Sequence, residues 1–339
     1  MEIREINDKK VWNEFLLSQN PNTFLQSWEW KMVQEKDGED TKTLGFYKQD
    51  SLIAVALLIT VHAKRGVHYL CPHGPIVKDA SDFSEVVKEL SAYCIEHRAE
   101  SNAVALRIAA LVENTPENCG VFSRLRFKPS PMHVHAELTW VLDISKTEDE
   151  ILSGMRKTTR HAIAKAQKEE VRVDISSNSD ALERFWPLYE QTKNRHGFIP
   201  FSKAVIASQV NIFRASNMMF FAIASYKGED VAGAICFQFG TTVFYYHGAS
   251  KKISSNIPAA QLLQWEAIRE AKKRGATMYN FWGIAKDDEP NHPFAGITVF
   301  KKGFGGYAID YMHAQDLPLS WKYWVLWAIE MFRKKKRGF

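Results

Sequence analysis

The sequence predicts an α/β (α+β) protein of two domains with the same layout. Each is a mixed, mostly antiparallel sheet flanked by helices. Three observations predict it. The chain has 339 residues, room for about two domains. Apolar residues make up 45% and charged residues 24%, a balance that builds packed cores rather than disorder. Periodic segments recur in one order, helices, an antiparallel meander, a helix and a strand, once in each half. No fixed-period sequence repeat accompanies that order.

In the first half, residues 8–19 read as a helix, Asn20-Pro21-Asn22 as a turn and residues 28–36 as a second helix with Ser27 as its N-cap. A meander follows, with strands at 43–48, 52–62 and 67–71 and turns at Gln49-Asp50 and Lys64-Arg65-Gly66. Pro72-His73-Gly74-Pro75 breaks it. Ser81 is placed as the cap of a helix running to about Arg98. Residues 103–108 read as a strand, 121–126 as a short helix and 136–143 as a strand.

The second half begins near Ser145. Residues 148–170 read as one long helix with a basic face, 171–175 as a strand, and 180–195 and 202–216 as helices. Strands at 218–226, 231–240 and 242–247 form the second meander, and Lys227-Gly228-Glu229-Asp230 turns between the first two. Pro258 opens a helix that reaches Arg274, and Gly275 stops it. Residues 278–282 and 307–313 are strands. The expected division is residues 1–144 with 314–339, and 145–313.

Composition excludes several classes. The four cysteines, Cys71, Cys94, Cys119 and Cys236, have no CxxC spacing, which argues against a zinc site or a disulfide framework and for a reducing cytosol. Residues 1–10 are charged and polar, unlike a signal peptide. No run reaches the roughly 20 apolar residues of a spanning helix. Net charge is only +5, but it is uneven. Arg156, Lys157, Arg160, Lys165 and Lys168 stand together without an acid, and the chain ends in Arg333-Lys334-Lys335-Lys336-Arg337, patches that favour phosphate. Residues 319–339 place Trp321, Trp324, Trp327, Ala328 and Met331 at helical spacing. That segment reads as a helix packed on the first domain, as an interfacial helix on anionic lipid, or as both.

The stretch with the most chemical content is residues 279–307. A short strand and Gly283 lead into an acidic, proline-bearing loop, residues 286–293, and then into Phe300-Lys301-Lys302-Gly303-Phe304-Gly305-Gly306. The glycines are expected to let the backbone turn sharply and approach a ligand. The two lysines suit an anion or an oxyanion, and Phe300 and Phe304 are expected to hold them in place. A basic surface turn between two strands is the plainer reading. His292 near Asp287, Asp288 and Glu289 reads as a solvated acidic loop rather than a metal site. A nucleophile elbow, a P-loop and a dinucleotide fingerprint are all absent.

The shared order of elements is that of an N-acetyltransferase-like (GNAT-like, acyl-CoA N-acyltransferase-like) domain occurring twice. The pyrophosphate-binding pattern R/Q-x-x-G-x-G/A of acetyl-CoA enzymes does not occur, so a different acyl donor is expected.

The chain resembles the Fem family of peptidoglycan-bridge aminoacyltransferases over nearly its whole length. The resemblance rests on FLQSWEW (24–30), GPI (74–76), MRKTTR (155–160), YHGAS (246–250), LQWEAI (263–268), YNFWGI (279–284) and HPFAGITVFKKGFGG (292–306). It implies a twin GNAT-like fold of the armless type. It also implies transfer of an amino acid from aminoacyl-tRNA to an amino group of the peptidoglycan stem peptide, on UDP-MurNAc-pentapeptide or its lipid-linked form, with no cofactor and no metal. Lys301, aligned with the family's FK motif, is the expected catalytic cation and Lys302 its neighbour in the role. Trp30, Lys31, His73, Tyr245, His247, Lys302 and Phe304 are the expected substrate-binding residues. Arg156, Lys157, Arg160 and Lys165 are expected to meet tRNA phosphate.

The chain departs from the family pattern at Ala109-Ala110, at Asn280 and around Ile199-Pro200-Phe201-Ser202, which leaves the acceptor open. Another acyl donor acting on another amine, and a non-catalytic membrane-surface protein, are the alternatives. A cytoplasmic monomer is expected, with peripheral contact at the inner face of the membrane.

Overall fold

The computed structural model describes residues 1–64, 66–196, 201–252, 257–289 and 292–337. Arg65 of the expected turn, Ile199 and Pro200 of the departure noted above, and Pro290 of the acidic loop lie outside the described residues. The chain divides into two compact units, Met1–Glu137 with Asp310–Phe339, and Leu138–Ile309.

The first unit runs β1 (Glu2–Glu5), α1 (Lys9–Leu17), α2 (Trp28–Lys36), β2 (Asp40–Lys48), β3 (Ser51–Ala63), β4 (Gly66–Pro72), β5 (Ile76–Val77), α3 (Phe83–Ser101), β6 (Ala105–Ala109), α4 (Pro116–Arg124) and β7 (Lys128–Pro129). The second holds β8 (Leu138–Asp143), α5 (Glu148–Gly154), α6 (Lys157–Lys168), β9 (Arg172–Ser176), α7 (Ala181–His196), α8 (Lys203–Ala215), β10 (Met219–Tyr226), β11 (Glu229–Phe239), β12 (Thr242–Ser250), α9 (Ala259–Lys273), β13 (Met278–Gly283), α10 (Ala295–Lys302) and β14 (Tyr307–Asp310). The chain then returns to the first unit as β15 (Gln315–Pro318) and α11 (Tyr323–Arg337).

The first sheet has the order β1-β2-β3-β4-β6-β15-β7, with β5 on β3, and the second β14-β8-β13-β12-β11-β10-β9. Both contain a three-stranded antiparallel meander, then a helix, then a strand parallel to the last meander strand: β2-β3-β4, α3 and β6, and β10-β11-β12, α9 and β13. Both meanders open with a two-residue hairpin. Gln49 and Asp50 join Lys48 to Ser51, and Lys227 and Gly228 join Tyr226 to Glu229, all four at positive φ. That geometry matches the right-handed twist of the strands it joins. The central strand β3 is buried from Ala54 to Thr60, as a strand covered on both faces must be.

Each unit has its own apolar core. Phe46, Leu58, Leu90, Leu106 and Phe122 belong to the first, and Ile163, Phe220, Leu263, Phe281 and Phe304 to the second. Buried polar groups fix the first unit's register. Gln26 accepts the Leu57 N–H at 2.7 Å and donates to the Pro72 carbonyl at 2.5 Å. Ser27 caps α2 by accepting the Trp30 N–H. Arg107 on β6 binds Asp316 of β15 through two bonds, 2.7 and 2.8 Å, and Glu330 of α11 at 2.7 Å. These three buried ionic side chains tie the C-terminal return to the sheet, and Tyr323 and Leu326 of α11 pack on Val104 and Ala105.

Several expectations change. The single helix over 148–170 is two helices. Thr147 and Glu150 form a reciprocal capping box at the start of α5, Met155 is extended (φ −74°, ψ 156°), and its side chain is buried in the core. Ser81 is not the cap of α3. Asp79 caps a short 3₁₀ turn, Ala80–Asp82, and α3 begins after it. The strand expected over 307–313 ends at Asp310 as β14 of the second sheet, and a separate strand that was not expected, β15 at Gln315–Pro318, joins the first. Leu138–Asp143, expected as the last strand of the first half, lies in the second sheet. Strand β1, Glu-Ile-Arg-Glu, carries too little apolar pattern to signal itself.

Candidate active site

The second unit concentrates its polar chemistry where two parallel strands part. β12 and β13 pair only through Thr242↔Met278, Val243↔Tyr279 and Phe244↔Asn280, although both run on. On its other side β13 carries an extra residue against β8, since Asn280 pairs with Val141 and Gly283 with Thr139. Trp282 sits in the bulge at φ 66°, held by its N–H donating to Asn280 Oδ1 at 2.7 Å. The Trp282 ring stands 5.3 Å from Tyr246 and 6.0 Å from Phe244. Bulges of this kind re-aim groups at functional sites. Here the bulge turns the Gly283 carbonyl toward Lys301.

Lys301 lies in the last turn of α10, not in a surface turn between strands. Thr298 anchors that helix, its hydroxyl accepting the Ala285 N–H at 2.8 Å and donating to the Phe294 carbonyl. Lys301 is 5% exposed, and its Nζ donates to Gly283 O at 2.5 Å. Burial pulls its pKa down to about 7. A lysine in this state exchanges its charge near neutral pH. Among the described residues no carboxylate pairs with it, and a helix C-terminus is the end of a helix that favours a cation.

Lys302 points elsewhere. It pairs with Asp287 and lies 5.4 Å from the Trp140 ring centroid. Phe304 is fully buried, 5.4 Å from Phe281 and 5.3 Å from Phe300, so rings do wall the lysine-bearing turn.

The glycines let the backbone turn sharply, as expected, and also let it approach other parts of the chain closely. A Cβ at Gly303 would stand 2.5 Å from the Thr159 hydroxyl, one at Gly305 2.8 Å from the Gly154 carbonyl, and one at Gly306 would collide with the Val141 carbonyl. Gly305 and Gly306 also have φ of 81° and 94°. The three glycines let the turn press against the end of α5, against α6 and against β8 of the same unit. The Gly303 carbonyl accepts the Arg156 N–H, and the Gly305 carbonyl accepts the Trp140 indole N–H at 2.7 Å.

The model of the FemAB family matches residues 8–107, 130–226 and 214–331. The chain belongs to the FemAB family. Among curated relatives, the aminoacyltransferase FemA of Staphylococcus epidermidis is 33% identical over 78 residues, which is 23% of this chain and 19% of FemA. That match therefore spans about a fifth of the relative's length. A crystal structure of FemX superposes with a TM-score of 0.84 at 17% identity, covering 97% of this chain and all of FemX. A tandem GNAT protein from the clavulanic acid biosynthesis pathway superposes with a TM-score of 0.58 at 10% identity, over 94% of this chain and 98% of its own. These likenesses show the fold, two GNAT-like domains in one FemAB chain.

Two expected site residues on β12 face different ways. Tyr245 packs on the core beside α9, and burial raises its pKa. His247 faces α7 and α8, with Nε2 2.9 Å from Gln209 Oε1 and its ring 6.2 Å from Tyr189. The cause is the register shift at Ile235/Cys236, which inserts Tyr246 between them. Burial takes His247 down to about 3, so it is neutral at physiological pH.

In the first unit Trp30 is buried edge-on to Phe24 at 5.5 Å. Lys31 pairs with Glu35 at 2.6 Å and sits over the Trp28 ring. His73 is at φ 54°, with Nδ1 2.9 Å from the Thr23 hydroxyl. Its ring is 5.4 Å from His135 and 6.4 Å from Tyr311, and burial holds its pKa well below the ordinary range.

The basic face of this FemAB chain divides. Arg156, Lys157 and Lys165 are exposed. Arg160 instead turns its Nη1 back to the carbonyls of Leu152, Ser153 and Met155, where it caps α5.

Sequence reading missed His135, whose Nε2 is buried with no hydrogen-bond partner among the described residues and whose pKa burial takes down to about 4. It also missed the group His133, Glu137 and His313. The signal was the run His133-Val134-His135-Ala136-Glu137, but its partner His313 lies 176 residues beyond Glu137.

Proposed function

We propose that this protein is an aminoacyltransferase of cell-wall assembly. It moves an amino acid from aminoacyl-tRNA to an amino group on the stem peptide of a peptidoglycan precursor, UDP-MurNAc-pentapeptide or its lipid-linked form. One observation carries the chemical part of this reading: a buried lysine in a FemAB chain, with one N–H on a main-chain carbonyl and no carboxylate partner among the described residues.

The reaction sets what such a lysine does. The acceptor amine attacks the ester carbonyl carbon, the new C–N bond forms, and the carbonyl electron pair moves to oxygen. Collapse of that oxyanion breaks the ester C–O bond, and the ribose oxygen leaves with the proton that the attacking nitrogen gives up. Lys301 has three donors when charged. Gly283 takes one, which leaves two for the oxyanion. A pre-placed donor of this kind is worth about 10²–10³-fold in rate. With a pKa near 7, about half of the side chains carry the proton at neutral pH, and a developing oxyanion draws the rest toward the charged form. Phe304, expected to bind substrate, is fully buried in the core, and with Phe300 it acts as a positioning residue for this turn.

Arg156 and Lys157 stand at the N-terminal end of α6, where main-chain N–H groups and the helix dipole favour phosphate. With Lys165 they support a tRNA-binding role. His73, Trp30 and Lys31 in the first unit, and Tyr245, His247 and Lys302 in the second, are the proposed acceptor-binding residues.

Helix α11 supports contact with the inner face of the membrane. Trp321, Trp324 and Phe332 are 74%, 52% and 71% exposed ahead of a basic tail, the pattern of a helix lying at an anionic lipid interface. No helix among the described residues is long and apolar enough to cross a membrane. We propose a monomer that works there.

The test is incubation of the purified protein with each charged tRNA and each precursor form, read by mass spectrometry of the precursor. Gain of one aminoacyl mass is expected. No gain with any charged tRNA on either precursor contradicts the reading.

A further inference from the structure

We propose that His133, Glu137 and His313 form a binding site for a divalent transition-metal ion of the zinc class in the first unit. The proposal rests on this unit's geometry alone and is independent of the transferase reading.

The three side chains meet around one carboxylate. His133 Nδ1 lies 2.7 Å from Glu137 Oε2, and His313 Nδ1 lies 2.8 Å from Oε1 and 2.9 Å from Oε2. One ligand atom from each residue falls within 4.8 Å of the others. The backbone that holds them is built independently of them. Ser130 N–H donates to the Ala314 carbonyl at 2.8 Å, Tyr311 N–H donates to the Glu137 carbonyl at 2.8 Å, and β7 pairs with β15 directly beside them.

The outer contacts are those of a ligand set. His313 Nε2 lies 2.7 Å from the Ser130 carbonyl, which can only accept, so that nitrogen carries its hydrogen. Without an ion, Nδ1 also carries a hydrogen and donates it to the Glu137 carboxylate at 2.8–2.9 Å, and a bound metal would take the place of that proton. A main-chain oxygen on the far nitrogen is the arrangement that fixes the ring of a metal-bound histidine. Glu137 Oε1 in turn accepts the Ala314 N–H at 3.2 Å.

Two imidazoles and one carboxylate suit zinc and its neighbours, not the all-oxygen shells of calcium or magnesium. At bond lengths of about 2.0–2.1 Å, tetrahedral ligand atoms stand roughly 3.3 Å apart. The present spacings therefore need to open by about half an ångström. His133 supplies that freedom, because its side chain is 54% exposed. The same exposure leaves further positions on the ion to water. The bound ion would clamp residues 130–137 to residues 311–314 and so stabilise the first unit.

The experiment uses the untagged, full-length protein with Zn²⁺ alone and with Co²⁺ as a spectroscopic probe. We expect one ion per chain by equilibrium dialysis, visible Co²⁺ bands displaced by Zn²⁺, and a higher Tm with Zn²⁺ than with a chelator. His133→Ala, at the exposed ligand, is expected to fold, to weaken Zn²⁺ binding about tenfold or more and to lose the Tm increase. His313→Ala is expected to do the same where it folds. An unchanged Tm with no bound Zn²⁺ overturns the proposal. So does equal Zn²⁺ binding by His133→Ala and the wild type, which would place the ion elsewhere.

Discussion

Lys301 Nζ donates to the carbonyl oxygen of Gly283 at 2.5 Å, across 18 residues of sequence and inside the second unit. The bond joins the end of α10 to the bulged end of β13, so the cation's place depends on strand geometry as much as on its own helix. Its stability consequence can be worked out. The folded-state pKa is about 7 against an ordinary 10.5. Between those values the unfolded chain binds a proton that the folded chain lacks, so this group makes stability rise with pH across that window. Below about 7 both states are charged and the cost of burial is complete. Lys301→Met is therefore expected to be more stable than the wild type at about pH 6, on the order of a few kcal/mol. The difference should shrink toward about pH 10. Denaturant melts across that range measure it, and a difference that does not change with pH would rule out a buried lysine.

Gly306→Ala is expected to destabilise the second unit by roughly 2–4 kcal/mol. The new Cβ would meet the Val141 carbonyl, and φ is 94°. Gly296→Ala is the control, since a Cβ there meets nothing within 4 Å among the described residues. Similar Tm losses in both variants would show that the turn is not packed as described.

The basic residues of α6 are expected to separate by readout. Lys157→Glu with Lys165→Glu should weaken tRNA binding and flatten its salt dependence, at little cost in Tm, because both side chains are exposed. Arg160→Ala should lower Tm, because its guanidinium caps α5. Filter binding over a salt series, together with thermal melts, distinguishes the two effects. An unchanged salt slope in the double variant argues against tRNA on this face.

Trp324→Ala with Phe332→Ala should cut co-sedimentation with anionic vesicles severalfold and leave the melt unchanged, since both rings are half or more exposed. Equal sedimentation by the double variant and the wild type would remove α11 from the membrane account.

Much of the fold was legible because its signals are local. The hairpins at Gln49-Asp50 and Lys227-Gly228, the apolar run of β3 and the Pro258 and Gly275 boundaries of α9 all depend on nearby residues. The break between α5 and α6 was not legible. It is set by Met155 entering the core and by Arg160 folding back onto α5, and neither is a sequence-local effect. In the same way, α10 reads as a turn because glycine and proline flank it, yet Thr298 and the buried face of Lys301 hold it as a helix. Lys301 itself stood out in the sequence by motif. Its partner Gly283 did not, because a carbonyl is aimed by a bulge that no residue type announces. His313 was hidden for a related reason, since only the β7–β15 pairing brings it to Glu137.

The most direct measurement is the single-turnover rate of aminoacyl transfer by Lys301→Met, compared with wild type under conditions in which both are folded. The account predicts a loss of about 10²–10³-fold with substrate binding retained. It also predicts that Lys302→Met, at a proposed acceptor-binding residue that pairs with Asp287, weakens acceptor binding but keeps the rate at saturating acceptor within a few-fold of wild type. A Lys301→Met rate equal to wild type would contradict the central claim.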